Sequence, residues 1–188
     1  MILRAIVIAM KEESQSFGEF NKGINVLDSK NILIITGIGK VNAAINTMKA
    51  IFVTKPIKVI NFGTAGSLNP EYGRGLHKVG RVVQRDFDAR PLATDIGIVP
   101  FDDTPLTIHL NMESPITLST GDNFVTSPPE VESDLVDMEG WAIAKVCQDF
   151  GITLEMYKYV TDNADEDAAQ DWLQSIRAGS QEFIDRIL

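Results

Sequence analysis

The chain has 188 residues, 44% of them hydrophobic and 23% charged, which is enough for one domain with a full core and ordinary for a globular protein. Acidic residues number 26 against 17 basic ones, a formal net charge of −9. Nucleic acid and anionic membrane surfaces are therefore excluded as expected partners, since both need a basic footprint. A single cysteine, Cys147, allows no intrachain disulfide and fits a reducing cytoplasm.

Residues 3–10 form an apolar run rich in Ile and Val, expected of a strand buried on both faces rather than of a leader, because no basic region precedes it and Lys11-Glu12-Glu13 follows at once. Nothing in the chain is apolar over the roughly 18 residues that a membrane span needs. A helix is expected from Lys11 through Phe17 and Phe20, then a turn-rich connection over 23–30 and a second buried strand over 31–36. Gly37-Ile38-Gly39-Lys40 is a tight turn. Val41 to Val53 has helical spacing, with Val41, Ala44, Ile45, Met48 and Ile51/Phe52 as its apolar face, and Pro56 stops it. A third strand covers 57–62 and ends in Gly63-Thr64-Ala65-Gly66. Strands alternating with a helix across short loops imply a mostly parallel sheet. Further strands are expected over 80–87, 115–119, 135–138 and 154–160, with a long loop over 88–115. A helix follows Met138, with Ala142, Ile143 and Val146 at helical spacing. A C-terminal helix runs from Asp167 or Ala168 to Leu188, its stripe formed by Trp172, Ile176, Phe183 and Ile187. The expected architecture is a single-domain three-layer α/β/α fold over residues 1–188, with a mixed, mostly parallel central sheet.

In such a sheet the carboxyl ends of the strands share one edge, so the polar turns there are expected to converge on one rim. The rim acids are Glu12 or Glu13, Asp122, Asp137, Glu139, Asp162 and Asp165. Gly37-Ile38-Gly39 begins like a dinucleotide fingerprint, but Asn42 stands where the third Gly belongs, and no Ser or Thr follows Lys40 as a P-loop requires. No G-x-S-x-G elbow exists, His77 and His109 fall in expected loops, and no zinc-ligand spacing is present. No cofactor or metal is expected. Carboxylates are left to do general acid–base work on a neutral polar substrate. Asp137 and Glu139 sit at a strand-to-helix junction. An acceptor-only carboxylate there can take two sugar hydroxyls, or it can simply favour the positive end of the helix dipole.

The stretches Thr36–Ala44, Gly63–Leu68, Thr120–Val125, Val136–Glu139 with Ala142–Cys147, and Thr161–Asp165 together resemble the purine nucleoside phosphorylase/nucleosidase superfamily, and within it most nearly the 5′-methylthioadenosine/S-adenosylhomocysteine nucleosidases. They occur in the family's order from Met10 to about Trp172. The resemblance implies cleavage of the N-glycosidic bond of a purine nucleoside through a ribose cation, a problem related to glycoside hydrolysis. It implies Asp162 as the acid at the purine N7, and Glu13 as the group that activates water, with Glu12 its open alternative. Glu139 would bind the ribose hydroxyls, with Met138 packed on the sugar. Phe124 would stack on the base and the Val125 backbone would read its edge. Thr64, Ala65 and Gly66 would line the floor, Met10 would stand beside them, and Trp172 would cap the 5′ group. A purine nucleoside as ligand and a homodimer or larger assembly are implied in the same way.

The chain departs from the family pattern in several places. Thr64 replaces a common Ser and Trp141 a small residue, whose bulk would reshape the site. The span from Phe20 to Asn31 leaves little room for the usual extra hairpin. The trimmed segment over 88–119, which in relatives helps form the 5′ pocket, carries Arg90. Phosphate-using relatives supply arginines; the matching turns here offer only Lys40, so hydrolysis is expected. The alternatives are phosphorolysis, a nucleosidase for another nucleoside or nucleotide, and a non-catalytic nucleoside-binding paralogue.

Overall fold

A computed structural model describes residues 4–110, 113–176 and 178–188. Leu3 and Arg177, which belong to the expected first strand and last helix, lie outside the described residues. The central strands are β1 (Arg4–Ile8), β3 (Asn31–Ile35), β4 (Lys58–Ser67) and β10 (Thr153–Asp162), with β2 (Gly23–Val26) and β5 (Gly75–Lys78) at their flanks. The second group is β6 (Arg81–Gln84), β7 (Thr107–His109), β8 (Thr117–Thr120) and β9 (Leu135–Asp137). All belong to one mixed sheet in the order β2-β3-β1-β4-β9-β8-β6-β7, with β10 paired to β4 and β5.

Alternation along the strands builds two cores. Ala5 and Val7 of β1, Ile32 and Ile34 of β3 and Val59 of β4 face one side, where α1 (Lys40–Thr54) and α2 (Gly140–Asp149) pack. Ile6, Ile8, Leu33, Ile35, Ile60 and Phe62 face the other. There Phe183 of α4 (Ala178–Ile187) stacks on Phe62 with ring centroids 4.6 Å apart. Helices on both faces of a mixed sheet match the expected fold class.

Several local expectations change. The sheet is two parallel sets joined head to tail: β9 runs antiparallel to β4 at Gly66–Val136 and Ser67–Leu135, while β8 and β9 are parallel to each other. The polar turns therefore do not share one rim. The carboxyl ends of β1, β3 and β10 come from one side and those of β8 and β9 from the other, and they meet over the far half of β4. Gly63–Gly66 is strand rather than turn, because β10 continues beside it to Asp162. Residues 23–26 pair with β3 in an antiparallel hairpin, so the expected connection is a strand and the hairpin is present. Lys11–Phe17 is a 3₁₀ segment rather than a helix reaching Phe20. His77 and His109 lie on β5 and β7 rather than in loops. The C-terminal helix is two helices, α3 (Ala168–Ser175) and α4, and Gly179 lets α4 lie directly against the Tyr159 ring.

Of the apolar face read for α1, Ile51 is buried and Ala44 packs against the core, but the rest of that face is exposed. Ala43, Thr47, Ala50 and Ile51 face the interior, where small side chains fit close to α2 and the sheet, while Val41, Ile45, Met48 and Phe52 are exposed.

Candidate active site

Where the two strand sets meet, a cavity of about 390 Å³ opens. Every residue expected at the site lines it: Met10 and Glu13 after β1, Thr64, Ala65 and Gly66 on β4, Phe124 and Val125 after β8, Met138 and Glu139 after β9, Asp162 at the end of β10 and Trp172 on α3. Glu12, the alternative to Glu13, instead borders a surface hollow with Lys11 and Gln15. Trp141 does not line the cavity; its ring packs on the α1/α2 core and leaves the site unconstricted. Arg90 is spent at the surface on Asp88 and Glu130.

Glu13 is 2% exposed and reaches two elements. One carboxylate oxygen accepts the Ala9 and Met10 amides at 3.2 and 3.1 Å, the bond by which an acid in a first helical turn reaches back to its cap. The other accepts the Thr64 amide at 2.8 Å and the Thr64 hydroxyl at 3.0 Å. Asp162 likewise serves two ends. Its Oδ1 accepts the Ala164 amide at 3.0 Å in an Asx-turn, and its Oδ2 accepts the Thr161 hydroxyl at 2.7 Å. A Cβ at Gly66 would stand 2.7 Å from Asp162 Oδ1, so glycine is what admits this carboxylate to the strand. Glu13 thus meets β4 at Thr64 and Asp162 meets it at Gly66, two residues on, which spaces the two acids by about 7 Å along the strand.

Glu139 and Asp137 are aimed differently. Asp137 is structural: its oxygens accept the Thr120 hydroxyl at 2.6 Å and the Gly140 amide that starts α2 at 2.8 Å. Glu139 turns to the cavity, with one oxygen accepting the Gly39 amide at 2.8 Å. Gly39 has φ +91°, a left-handed conformation that aims this N–H across the turn and favours glycine. Burial, then the neighbouring Asp137, push the Glu139 carboxyl up to about 8 from its ordinary 4.5, against the pull of Lys158 and the Gly39 amide. The folded protein therefore holds this proton through a window, from about pH 4.5 to about pH 8, in which the unfolded chain has released it. The unfolded state binds fewer protons there, so this group makes the fold less stable as pH rises across the window. Glu139→Gln, whose carbonyl still accepts the Gly39 N–H, is expected to shrink the fall in melting temperature between pH 5 and pH 8.5. Parallel melting curves of both proteins over that range check it, and identical pH dependence would refute it.

Two residues of the site escaped the sequence reading. Lys158, in the middle of β10 and 1% exposed, lies 2.8 Å from Asp137 Oδ2. Burial pulls its ammonium down, but Asp137, Glu139 and Glu13 outweigh it and hold the group up. Its signal was a lone charge in an otherwise apolar buried strand. Arg85, 4% exposed, follows β6 and donates to four carbonyls, those of Ser119 and Asp137 at 2.7 Å, Gly121 at 3.3 Å and Asn123 at 2.7 Å. It ties the loop bearing Phe124 and Val125 to both β8 and β9. A planar fork of donors suits this task, and a Cβ at Gly121 would meet its guanidinium at 3.0 Å. Lys40, the one cation expected near a nucleophile, is paired with Asp86 and donates to Gln84 Oε1 at 3.2 Å.

The sequence profile of the Phosphorylase superfamily matches residues 5–188. The chain belongs to the phosphorylase superfamily. Among curated members of the superfamily, 5′-methylthioadenosine/S-adenosylhomocysteine nucleosidase of Bacillus subtilis (strain 168) is 31% identical over 89% of this chain and 82% of the relative. Aminodeoxyfutalosine nucleosidase of Helicobacter pylori (strain 26695) is 30% identical over 79% and 74%. Among solved structures of the superfamily, an aspartate-to-asparagine mutant of the Helicobacter pylori nucleosidase, with 5′-methylthioadenosine in its active site, superposes with a TM-score of 0.84 at 25% identity, covering 97% of this chain and 94% of that one.

Proposed function

We propose that this superfamily member hydrolyses the N-glycosidic bond of an adenine-type purine nucleoside, of the 5′-methylthioadenosine or S-adenosylhomocysteine class, releasing the free base and the sugar. The observation that carries this reading is the pair of carboxyl groups, Glu13 and Asp162, brought to alternate residues of one strand over a single cavity. In this reading Asp162 gives its proton to the purine N7 as the bond from C1′ to N9 breaks. Glu13 takes a proton from water as its oxygen bonds to C1′. Glu139 accepts the ribose hydroxyls, Met138 packs on the sugar, and Phe124, 46% exposed at the mouth, covers the base while the Val125 backbone reads its edge.

Water is favoured over phosphate on charge. The Glu13 carboxylate in the lining would repel phosphate, and Arg85 is the one cation among the described residues that line the cavity, its two terminal NH₂ groups turned to carbonyls. Lys40 is neutralised by Asp86. A panel of purine nucleosides, incubated with and without phosphate and resolved by chromatography, tests this. Free base and free ribose without phosphate support it; a phosphate requirement with ribose 1-phosphate as product overturns it, and so does tight nucleoside binding without turnover.

The same reading takes residues 1–188 as one domain that works in the cytoplasm as a homodimer. Among the described residues no helix is long and apolar enough to cross a membrane. Cys147 is buried, its thiol pushed up to about 12 by burial, which suits a core residue. The outward face of α1, with Val41, Ile45, Met48 and Phe52, continues at the cavity mouth into exposed Ile38, an apolar patch that a second copy would cover. Met48→Glu is expected to shift a dimer toward monomer in sedimentation velocity. A wild-type protein that sediments as a monomer at all concentrations removes the dimer.

A further inference from the structure

Trp172 is placed in the cavity as a cap, but its one polar atom is engaged elsewhere. The indole Nε1–H donates to Thr64 Oγ1 at 3.1 Å, across a sequence separation of 108 residues. Thr64 Oγ1 in turn donates to Glu13 Oε1 at 3.0 Å. A hydroxyl has one proton and two lone pairs, and its rotor turns to suit its partners. An indole N–H can only donate, so its presence on one side of Thr64 Oγ1 directs the hydroxyl proton to the other side, toward Glu13. The remaining donors to Glu13, from Ala9, Met10 and Thr64, are backbone amides with no such freedom. Thr64 is therefore the adjustable contact of the carboxylate, and Trp172 is what sets it. The helix that carries Trp172 is itself pinned, since the Arg74 guanidinium donates to Ser175 Oγ at 2.7 Å.

We propose that Trp172 is a positioning residue for Glu13: through the Thr64 hydroxyl it couples the seating of α3 over the cavity to the orientation of the carboxylate that activates water. The inference rests on the role given to Glu13 above. It goes beyond a capping role, which needs the bulk of the ring but not its N–H. A phenylalanine keeps an aromatic ring but loses the N–H together with part of the indole's bulk, so the Thr64→Val background is what separates the two roles: a packing loss persists there and a relay loss does not.

The test compares kcat and KM for base release in wild type, Trp172→Phe, Thr64→Val, the double variant, Thr64→Ser and Glu13→Gln, each with a melting curve. Loss of one hydrogen bond that acts through a carboxylate is expected to lower kcat of Trp172→Phe about tenfold with KM within about twofold. In the Thr64→Val background the same change is expected to have no further effect on kcat, because the relay is already cut, and Thr64→Ser, which keeps the hydroxyl, is expected to retain more kcat than Thr64→Val. Three outcomes overturn the inference: an unchanged kcat in Trp172→Phe, a raised KM with kcat intact, or a kcat loss that persists undiminished beside Thr64→Val. Glu13→Gln separates the failures. If it is inactive while Trp172→Phe is fully active, only the coupling falls; if Glu13→Gln retains wild-type kcat, the role of Glu13 falls and the coupling with it.

Discussion

Asp162→Asn is expected to lower kcat for base release by about 10²–10⁴-fold, the range spanned by positioned acids and bases, with the melting temperature within a few degrees of wild type. The side chains are the same shape, and the local hydrogen bonds can be rebuilt. The Asn carbonyl oxygen can accept the Ala164 amide in place of Asp162 Oδ1. The Asn amide then donates to Thr161 Oγ1, whose hydroxyl is free to turn to the Ala65 carbonyl, already 3.4 Å away. The Asx-turn that shapes the end of β10 survives, and the proton for the leaving base is lost. A substrate whose leaving group needs no protonation, such as a ribosyl nitrophenolate, tests the assignment in a second way: the defect of Asp162→Asn should shrink on it. Full activity of the variant on a purine nucleoside, or an equal defect on both substrates, would remove Asp162 from the acid's place.

Much of the fold was legible in the sequence because it is local. The continuous Ile/Val runs of β1 and β3 could only be strands buried on both faces, and the structure sorts their alternate residues onto two cores. The turns that cluster at the cavity were legible as motifs, each a Gly or acid placed just after a strand. What sequence spacing could not supply was pairing between distant segments. The antiparallel join of β9 to β4 turned a shared rim into two facing ones, and β10 held Gly63–Gly66 extended where glycines suggested a turn. Part of the buried face of α1 was misassigned for a related reason. Periodicity finds an apolar stripe, but which side faces inward depends on how closely α2 and the sheet approach, and the close approach selected Ala43 and Ala50 over Val41 and Phe52. Arg85 and Lys158 act through partners far along the chain, four carbonyls in one case and Asp137 in the other, so neither forms a motif. Asp137 and Glu139 illustrate both outcomes: the plain helix-start reading holds for the first, while the second is aimed into the cavity.

Glu13→Gln is expected to abolish most turnover, about 10²–10⁴-fold in kcat, and unlike Asp162→Asn to lower stability as well. The reason is the count of donors. Glu13 accepts four hydrogen bonds, two on each oxygen, and three of them come from backbone amides that cannot reverse. A glutamine presents one accepting oxygen and one donating NH₂. Turned toward Ala9 and Met10, the NH₂ would orphan two amides. Turned toward β4, it would orphan only the Thr64 N–H and could donate to the Thr64 hydroxyl. The second orientation wins, and leaving one buried donor without an acceptor costs about 1–3 kcal/mol. For a chain of this size that lowers the melting temperature by roughly 2–12 °C. The glutamine also competes with Trp172 for Thr64 Oγ1, so the seating of α3 should loosen with it. Initial rates of base release and thermal melts on one preparation measure both effects. A variant that melts below wild type yet keeps kcat within about threefold would show Glu13 to be a structural clamp between the 3₁₀ segment and β4, and would move the activation of water to another group.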